Sequence, residues 1–175
     1  GGQRPVANHG VWRSEPLLQL CLGFGERPQR QVRNIQQVAK LDIADHDWPS
    51  YRGGNARSDV VDRPIPRGVA LAWSKRVSDR ELPTAPVTAG GLIFVADRSG
   101  VAQAFDQAGE SVWKAYTSGP VYYPPAVAQD RVFVGSADGR VYAWEARSGR
   151  FLWSHLVAPQ KRWIPVYGKL VSTWP

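Results

Sequence analysis

The side chains of this 175-residue chain that could bind a metal or move a proton are few and scattered: three histidines, fifteen carboxylates and one cysteine. His9, His46 and His155 stand far apart, and none has a second histidine or a cysteine at the short spacing that places two ligands on one ion. Each therefore reads as a surface or locally hydrogen-bonded residue. The acid pairs Asp45/Asp47 and Asp59/Asp62 could in principle hold a cation but lack the ligand spacing of a calcium loop. They read as solvated loop carboxylates. Gly23-Phe-Gly-Glu26 lacks the further glycine and the lysine of a phosphate-cradling loop. Cys21 is alone, so it forms neither an internal disulfide nor a CxxC redox pair, and the redox compartment stays open. No residue is singled out as catalytic or metal-binding, and no cofactor is expected in this chain from its residues alone.

The elements that would position any chemistry are better marked. Composition is that of a globular chain, 43% hydrophobic and 21% charged, with Gly 17, Pro 14 and an outlying count of Trp 8. So many aromatics exclude a wholly disordered chain. The apolar run Pro16–Phe24 is far short of the roughly 20 residues of a membrane helix, and no basic start with a small-residue cleavage site frames it as a signal peptide. The net charge of +7 is concentrated in the last third, but Lys114, Arg131, Arg140, Arg147, Arg150, Lys161, Arg162 and Lys169 are dispersed. That pattern suits a solvated face, and no nucleic-acid partner is expected. With Met 0, the expectation is a chain processed or cut from something longer.

The strongest signal is internal repetition. Trp73, Trp113 and Trp153 are evenly spaced, each 40 apart. Pro86-Val-Thr-Ala-Gly-Gly-Leu-Ile-Phe-Val-Ala-Asp-Arg-Ser-Gly100 lies over Pro125-Ala-Val-Ala-Gln-Asp-Arg-Val-Phe-Val-Gly-Ser-Ala-Asp-Gly139 at an offset of 39, and one inserted residue makes the offset 40 for Gly109/Gly149. Such a period marks a repeated supersecondary unit. Within each unit β-branched and aromatic residues fill short runs: Leu92–Ala96, Val101–Phe105 and Ser111–Trp113, then Arg131–Gly135, Val141–Trp144 and Phe151–Trp153. Glycines punctuate them at turn positions. The segments around Pro86–Thr88 and Pro125–Val127 supply a fourth strand, with proline at its tolerated first position. Four short antiparallel strands per 40 residues describe a propeller blade, in a WD40-like repeat architecture, better than helical repeats, which need apolar residues at 3.6 spacing over longer stretches. A β-sandwich is the alternative, though it does not require so regular a recurrence.

Ala104-Phe-Asp-Gln-Ala-Gly-Glu-Ser-Val-Trp113 and Ala143-Trp-Glu-Ala-Arg-Ser-Gly-Arg-Phe-Leu-Trp153 resemble the tryptophan-docking motif of quinoprotein-like (pyrroloquinoline quinone repeat) β-propellers. Asp47-Trp-Pro-Ser-Tyr-Arg-Gly-Gly-Asn55 also resembles the segment that precedes the first blade in such proteins. The resemblance implies that Trp113 and Trp153 dock between neighbouring blades and that Trp73 closes an earlier, degenerate unit. Asp106 and Glu145, with Gly109 and Gly149, would shape the hairpin turns. Glu145 departs from the commoner Asp, and Ala108 and Ser148 stand where Thr is usual. Apart from the family, an indole covers much apolar area where two sheets meet, and an acid at such a turn can accept its amide hydrogens.

The expected fold is all-β, a partial propeller. An irregular segment fills 1–46, with a short helix at 29–42 suggested by Val32, Ile35, Val38 and Leu41 at spacing three. Residues 47–175 form the partial propeller: an opening segment and degenerate unit at 47–84, blades at 85–123 and 124–160, and an incomplete blade or inter-blade loop at 161–175. For function, the resemblance implies two classes. One is a non-catalytic bacterial module for protein interaction or scaffolding, whose partners are the remaining blades of its own full-length chain and a protein partner. The other is a piece of a pyrroloquinoline-quinone-dependent dehydrogenase oxidising an alcohol or sugar, with quinone and calcium near the ring axis. That enzyme expects vicinal cysteines, a quinone-stacking Trp and a catalytic Asp, none assignable here. A periplasmic or cell-envelope location is favoured by the resemblance only.

Overall fold

The computed structural model divides the chain into two units, 1–30 and 31–175, and describes residues 37–54, 57, 58, 60, 64, 66–78 and 81–174. Among these, ten strands form two four-stranded antiparallel sheets and one two-stranded hairpin. The first sheet runs in chain order through β1 (Val87–Ala89), β2 (Leu92–Ala96), β3 (Val101–Phe105) and β4 (Ser111–Tyr116). The second repeats it with β5 (Ala126–Ala128), β6 (Arg131–Ser136), β7 (Arg140–Glu145) and β8 (Phe151–Leu156). Both ladders are irregular at the same place, between Ala104 and Phe105 and between Ala143 and Trp144. These are two blades of an all-β propeller-type fold, not closed into a ring.

Runs such as Leu-Ile-Phe-Val-Ala are apolar at consecutive positions because successive side chains leave opposite faces of a strand and both faces of a blade are covered. The register shows how the faces are used. Val87, Phe94, Ala104 and Trp113 lie opposite one another in a row across the first sheet. Facing them, the second sheet contributes Val127, Val132 and Trp144, also in one row, and the two rows belong to one continuous buried cluster. Phe94, Val87 and Val132 are fully buried there, each worth roughly 1.5–3 kcal/mol of transfer free energy. The core thus sits between the two blades, and neither sheet could bury its apolar face alone.

At 37–42 the structure differs from the sequence expectation. Of the helix expected at 29–42, residues 29–36 lie outside the described residues, and 37–42 carry no helix. The reason is tertiary: the amides of Ala39 and Leu41, which a helix would direct to its own carbonyls, donate instead to Glu145 Oε1 and Asp130 Oδ1, each at 2.7 Å. The opening segment then pairs Trp48 with Thr88 of β1 through two backbone bonds of 3.0 and 2.9 Å, and Pro49 accepts from Val127 N of β5 at 2.7 Å. At the other end, β9 (Trp163–Val166) and β10 (Lys169–Ser172) form their own hairpin. It rests on the β2–β3 and β6–β7 turns, where Ser172 N donates to Ala137 O at 2.6 Å and Lys169 Nζ to Arg98 O at 3.0 Å. That same Lys169 ammonium pairs with Glu81 at 2.5 Å.

Candidate functional site

The residues with the most specific geometry lie along the seam between blades. Trp113 leaves β4 toward the β7–β8 turn of the next blade, where its indole Nε1–H donates to Ala146 O at 2.8 Å and its ring lies against Gly149. A Cβ at that position would stand 2.6 Å from Trp113 Cγ. The turn is shaped to receive it. Gly149 has φ +68°, a conformation that a side chain disfavours, and Gly149 N closes the turn onto Glu145 O at 2.9 Å. The buried Glu145 carboxylate holds the loop from inside, accepting from Ser148 Oγ, from Arg150 Nη2 at 3.2 Å and from Ala39 N. These bonds, the Arg150 guanidinium first among them, outweigh the cost of burial and hold its pKa down at about 2.

The same arrangement recurs one period earlier. Trp73 Nε1 donates to Gln107 O at 2.8 Å, and its ring lies against Gly109, at φ +81°. Asp106 shapes that turn by accepting from Ala108 N and Glu110 N, both at 2.9 Å. A second polar contact is also repeated. On β3, buried Gln103 donates to Val77 O at 3.0 Å; at the matching position of β7, Tyr142 accepts from Ser118 N at 3.1 Å and donates to buried Asp138. Residues 73–77 form no strand, yet they meet the first blade as residues 113–118 meet the second.

Trp153 occupies the third place in the series. It lies 6.0 Å from Phe133 at 48°, as Trp113 lies 6.0 Å from Phe94 at 46°. Ala126, Phe133, Ala143 and Trp153 form the row equivalent to Val87, Phe94, Ala104 and Trp113. Trp113 is buried, whereas Trp153 is half-buried.

The other sequence candidates are not brought together. His46 and His155 are exposed and separate, Asp45 is exposed, and Asp47 accepts from Gly90 N at 2.8 Å and Ala44 N at 2.9 Å. His9, Cys21, the 23–26 glycine string, Asp59 and Asp62 lie outside the described residues. Among the described residues no three His, Cys, Asp or Glu groups gather as a metal site. The buried carboxylates are committed to turns: Asp97 accepts from Ser99 N at 2.8 Å and Val101 N at 3.1 Å, and Asp138 from Arg140 N at 3.0 Å. The described residues therefore do not fit a calcium–quinone centre. A cavity of about 360 Å³, lined by Trp73, Val77, Ile93, Val95 and Phe105 among others, lies on the face of the first blade away from the second. Sequence reasoning missed Gln103 and Tyr142, which differ in type between the units, and Asp97, although Asp-Arg-Ser-Gly was a readable turn signal.

Four-stranded blades, joined by an indole from one set on a glycine turn of the next, define a quinoprotein-related β-propeller. The chain belongs to the pyrroloquinoline-quinone-repeat family described as "Outer membrane protein assembly factor BamB", which is matched over residues 59–167, more than half of its length. It is similar to outer membrane protein assembly factor BamB of Nitrosomonas eutropha, 32% identical over 66 residues, covering 38% of this chain and 16% of the relative. It is also similar to quinohemoprotein alcohol dehydrogenase of Comamonas testosteroni, 25% identical over 185 aligned positions, covering 86% of this chain and 26% of the relative. The chain thus spans about a quarter or less of these relatives. Among solved structures, a quinohemoprotein alcohol dehydrogenase from Pseudomonas putida HK5 shares the fold with TM-score 0.58 at 23% identity, over 66% of this chain and 20% of that one.

Proposed function

We propose that this chain supplies consecutive blades to a larger quinoprotein-type ring of the dehydrogenase-like branch, one that oxidises an alcohol or sugar with quinone as electron acceptor. The observation that carries the reading is the extent of the match: the alcohol dehydrogenase relative is aligned with 86% of this chain, including sequence outside the two blades. Within that ring the described residues act as wall rather than as redox centre, since their buried carboxylates are engaged in turns, and the donors for quinone and calcium come from elsewhere in the ring. Trp73, Trp113 and Trp153 serve as the docking residues, with Asp106, Gly109, Glu145 and Gly149 building the seats for the first two. The partner that Trp153 awaits is the turn of a further blade. A cell-envelope location accords with the outer-membrane naming of the family.

The test is reconstitution of the full-length protein with pyrroloquinoline quinone and calcium. The expected result is alcohol-dependent reduction of an artificial dye that requires added quinone. Absence of both quinone binding and turnover across primary alcohols and aldoses would sink the reading. A second reading, the non-catalytic interaction module expected from the sequence, is supported by the family description and by the higher identity, 32%, to an assembly factor. It predicts a ring that leaves added quinone unbound and recovers a protein partner from the envelope fraction.

A further inference from the structure

One rim of the second blade grips a stretch of chain without regular secondary structure, and it does so almost entirely through that chain's backbone. Arg150 Nη2 donates to Gln37 O at 2.6 Å, and Glu145 Oε1 accepts from Ala39 N at 2.7 Å. Arg147 Nε donates to Lys40 O at 2.6 Å, and Asp130 Oδ1 accepts from Leu41 N at 2.7 Å. Anions meet amides and cations meet carbonyls. All four are charge-assisted bonds, the stronger kind. One side chain is read as well, by the neighbouring first blade: Leu41 is 4% exposed and lies on Gly90 of the β1–β2 turn, where a Cβ would come within 2.5 Å of its Cγ and Cδ1. Lys40, by contrast, points its ammonium to Asp42 in the same stretch, at 2.9 Å, with both side chains exposed.

Glu145, Arg150 and the main chain of Asp130 are held in place without the strap. Glu145 is tied to Ser148 and Arg150 of its own turn. Asp130 sits at φ +64° in the β5–β6 turn, where its carbonyl accepts from Ala146 N at 2.9 Å, so the two turns are fastened together. A helix could not use such a row, because its amides and carbonyls are already bonded internally.

We propose that this rim is a binding site for an extended polypeptide, read through alternating main-chain groups and one leucine-sized side chain, which residues 37–41 fill in cis. The partner class in trans is an extended protein segment with an aliphatic residue two places after the amide that reaches Glu145. Because the cis strap competes at an effective concentration in the millimolar range, an outside segment binds only when the strap leaves. The proposal holds whether or not the ring is an enzyme.

The probe is a fluorescein-labelled peptide, Gln-Val-Ala-Lys-Leu-Asp, titrated by anisotropy into the full chain. The variant Leu41→Asp, which releases the strap, is expected to bind it at least tenfold more tightly than the unaltered chain. A peptide with Asp in place of its Leu should lose that binding, as should the released chain carrying Asp130→Asn and Glu145→Gln. Equal, weak binding to released and unaltered chains, or indifference to the peptide's leucine, overturns the proposal. If the released variant does not unfold cooperatively, hydrogen exchange in the unaltered chain decides. Slow exchange at Ala39 and Leu41 beside fast exchange at Val38 and Lys40 is expected, and uniformly fast exchange across 38–41 refutes it.

Discussion

Trp113 and Gly149 share a contact that no other residue pair could make at that spacing: a Cβ on residue 149 would stand 2.6 Å from both Cγ and Cδ2 of the indole. Trp73 and Gly109 repeat it at 2.7 Å to Cδ2. The indole therefore rests on bare backbone, and its N–H reaches a carbonyl in the same turn. Turn conformation and blade spacing are coupled through that one contact.

Gly149→Ala should lower stability by about 2–3 kcal/mol, combining overpacking against the indole with a left-handed backbone. Gly135→Ala is the control, since nothing lies within 4 Å of a Cβ there. Urea unfolding of the two variants checks this, and equal midpoints would show that the glycine seat is not constraining.

Trp113→Ala should cost about 3–5 kcal/mol, as for a buried indole. Trp153→Ala should cost less than half as much, because Trp153 is half-buried and its indole N–H has no acceptor among the described residues. Thermal unfolding of both variants measures the ratio. If a further blade is added to the chain, the two losses should converge.

Glu145 gives the fold an acid-sensitive element. Its folded pKa of about 2 lies below the ordinary 4.5, so the carboxylate stabilises the folded state above about pH 4.5, and that contribution is lost as pH falls toward 2. Its size is on the order of 3 kcal/mol. Glu145→Gln should be less stable at pH 7 and should flatten the stability change between pH 5 and 2, read by urea midpoints at each pH.

Tyr142 acts at the opposite end of the scale. Burial, and then the hydrogen bond to Asp138, raise its pKa above 10.0, so its contribution is full below about pH 10 and is lost as pH rises through the higher folded value. Tyr142→Phe leaves the buried Asp138 short of a donor and Ser118 N without its acceptor, costing about 1–3 kcal/mol. Alkaline unfolding followed by far-UV circular dichroism should begin from this lower stability and show a weaker pH dependence above pH 10.

Much of the blade was legible because its chemistry is local. The Leu92–Ala96 and Arg131–Ser136 runs, the glycines at 109 and 149 and the 40-residue tryptophan spacing each follow from strand and turn preferences that act over a few residues. At 37–42 the spacing of Val38 and Leu41 gave no sign of the observed backbone, for the complementary reason. Periodicity assumes that backbone amides bond within their own segment, and Ala39 and Leu41 donate to carboxylates 106 and 89 residues away.

The sequence by itself determined the repeat unit, its four strands and the turn glycines, since these depend on side-chain alternation and on φ values that only certain residues adopt. The tertiary structure alone decided which blade face meets which, that residues 73–77 meet the first blade without forming a strand, and that a strap at 37–41 binds the second blade. Those contacts join residues far apart in the chain, and their energies come from burial and from hydrogen bonds that exist only once two blades stand side by side.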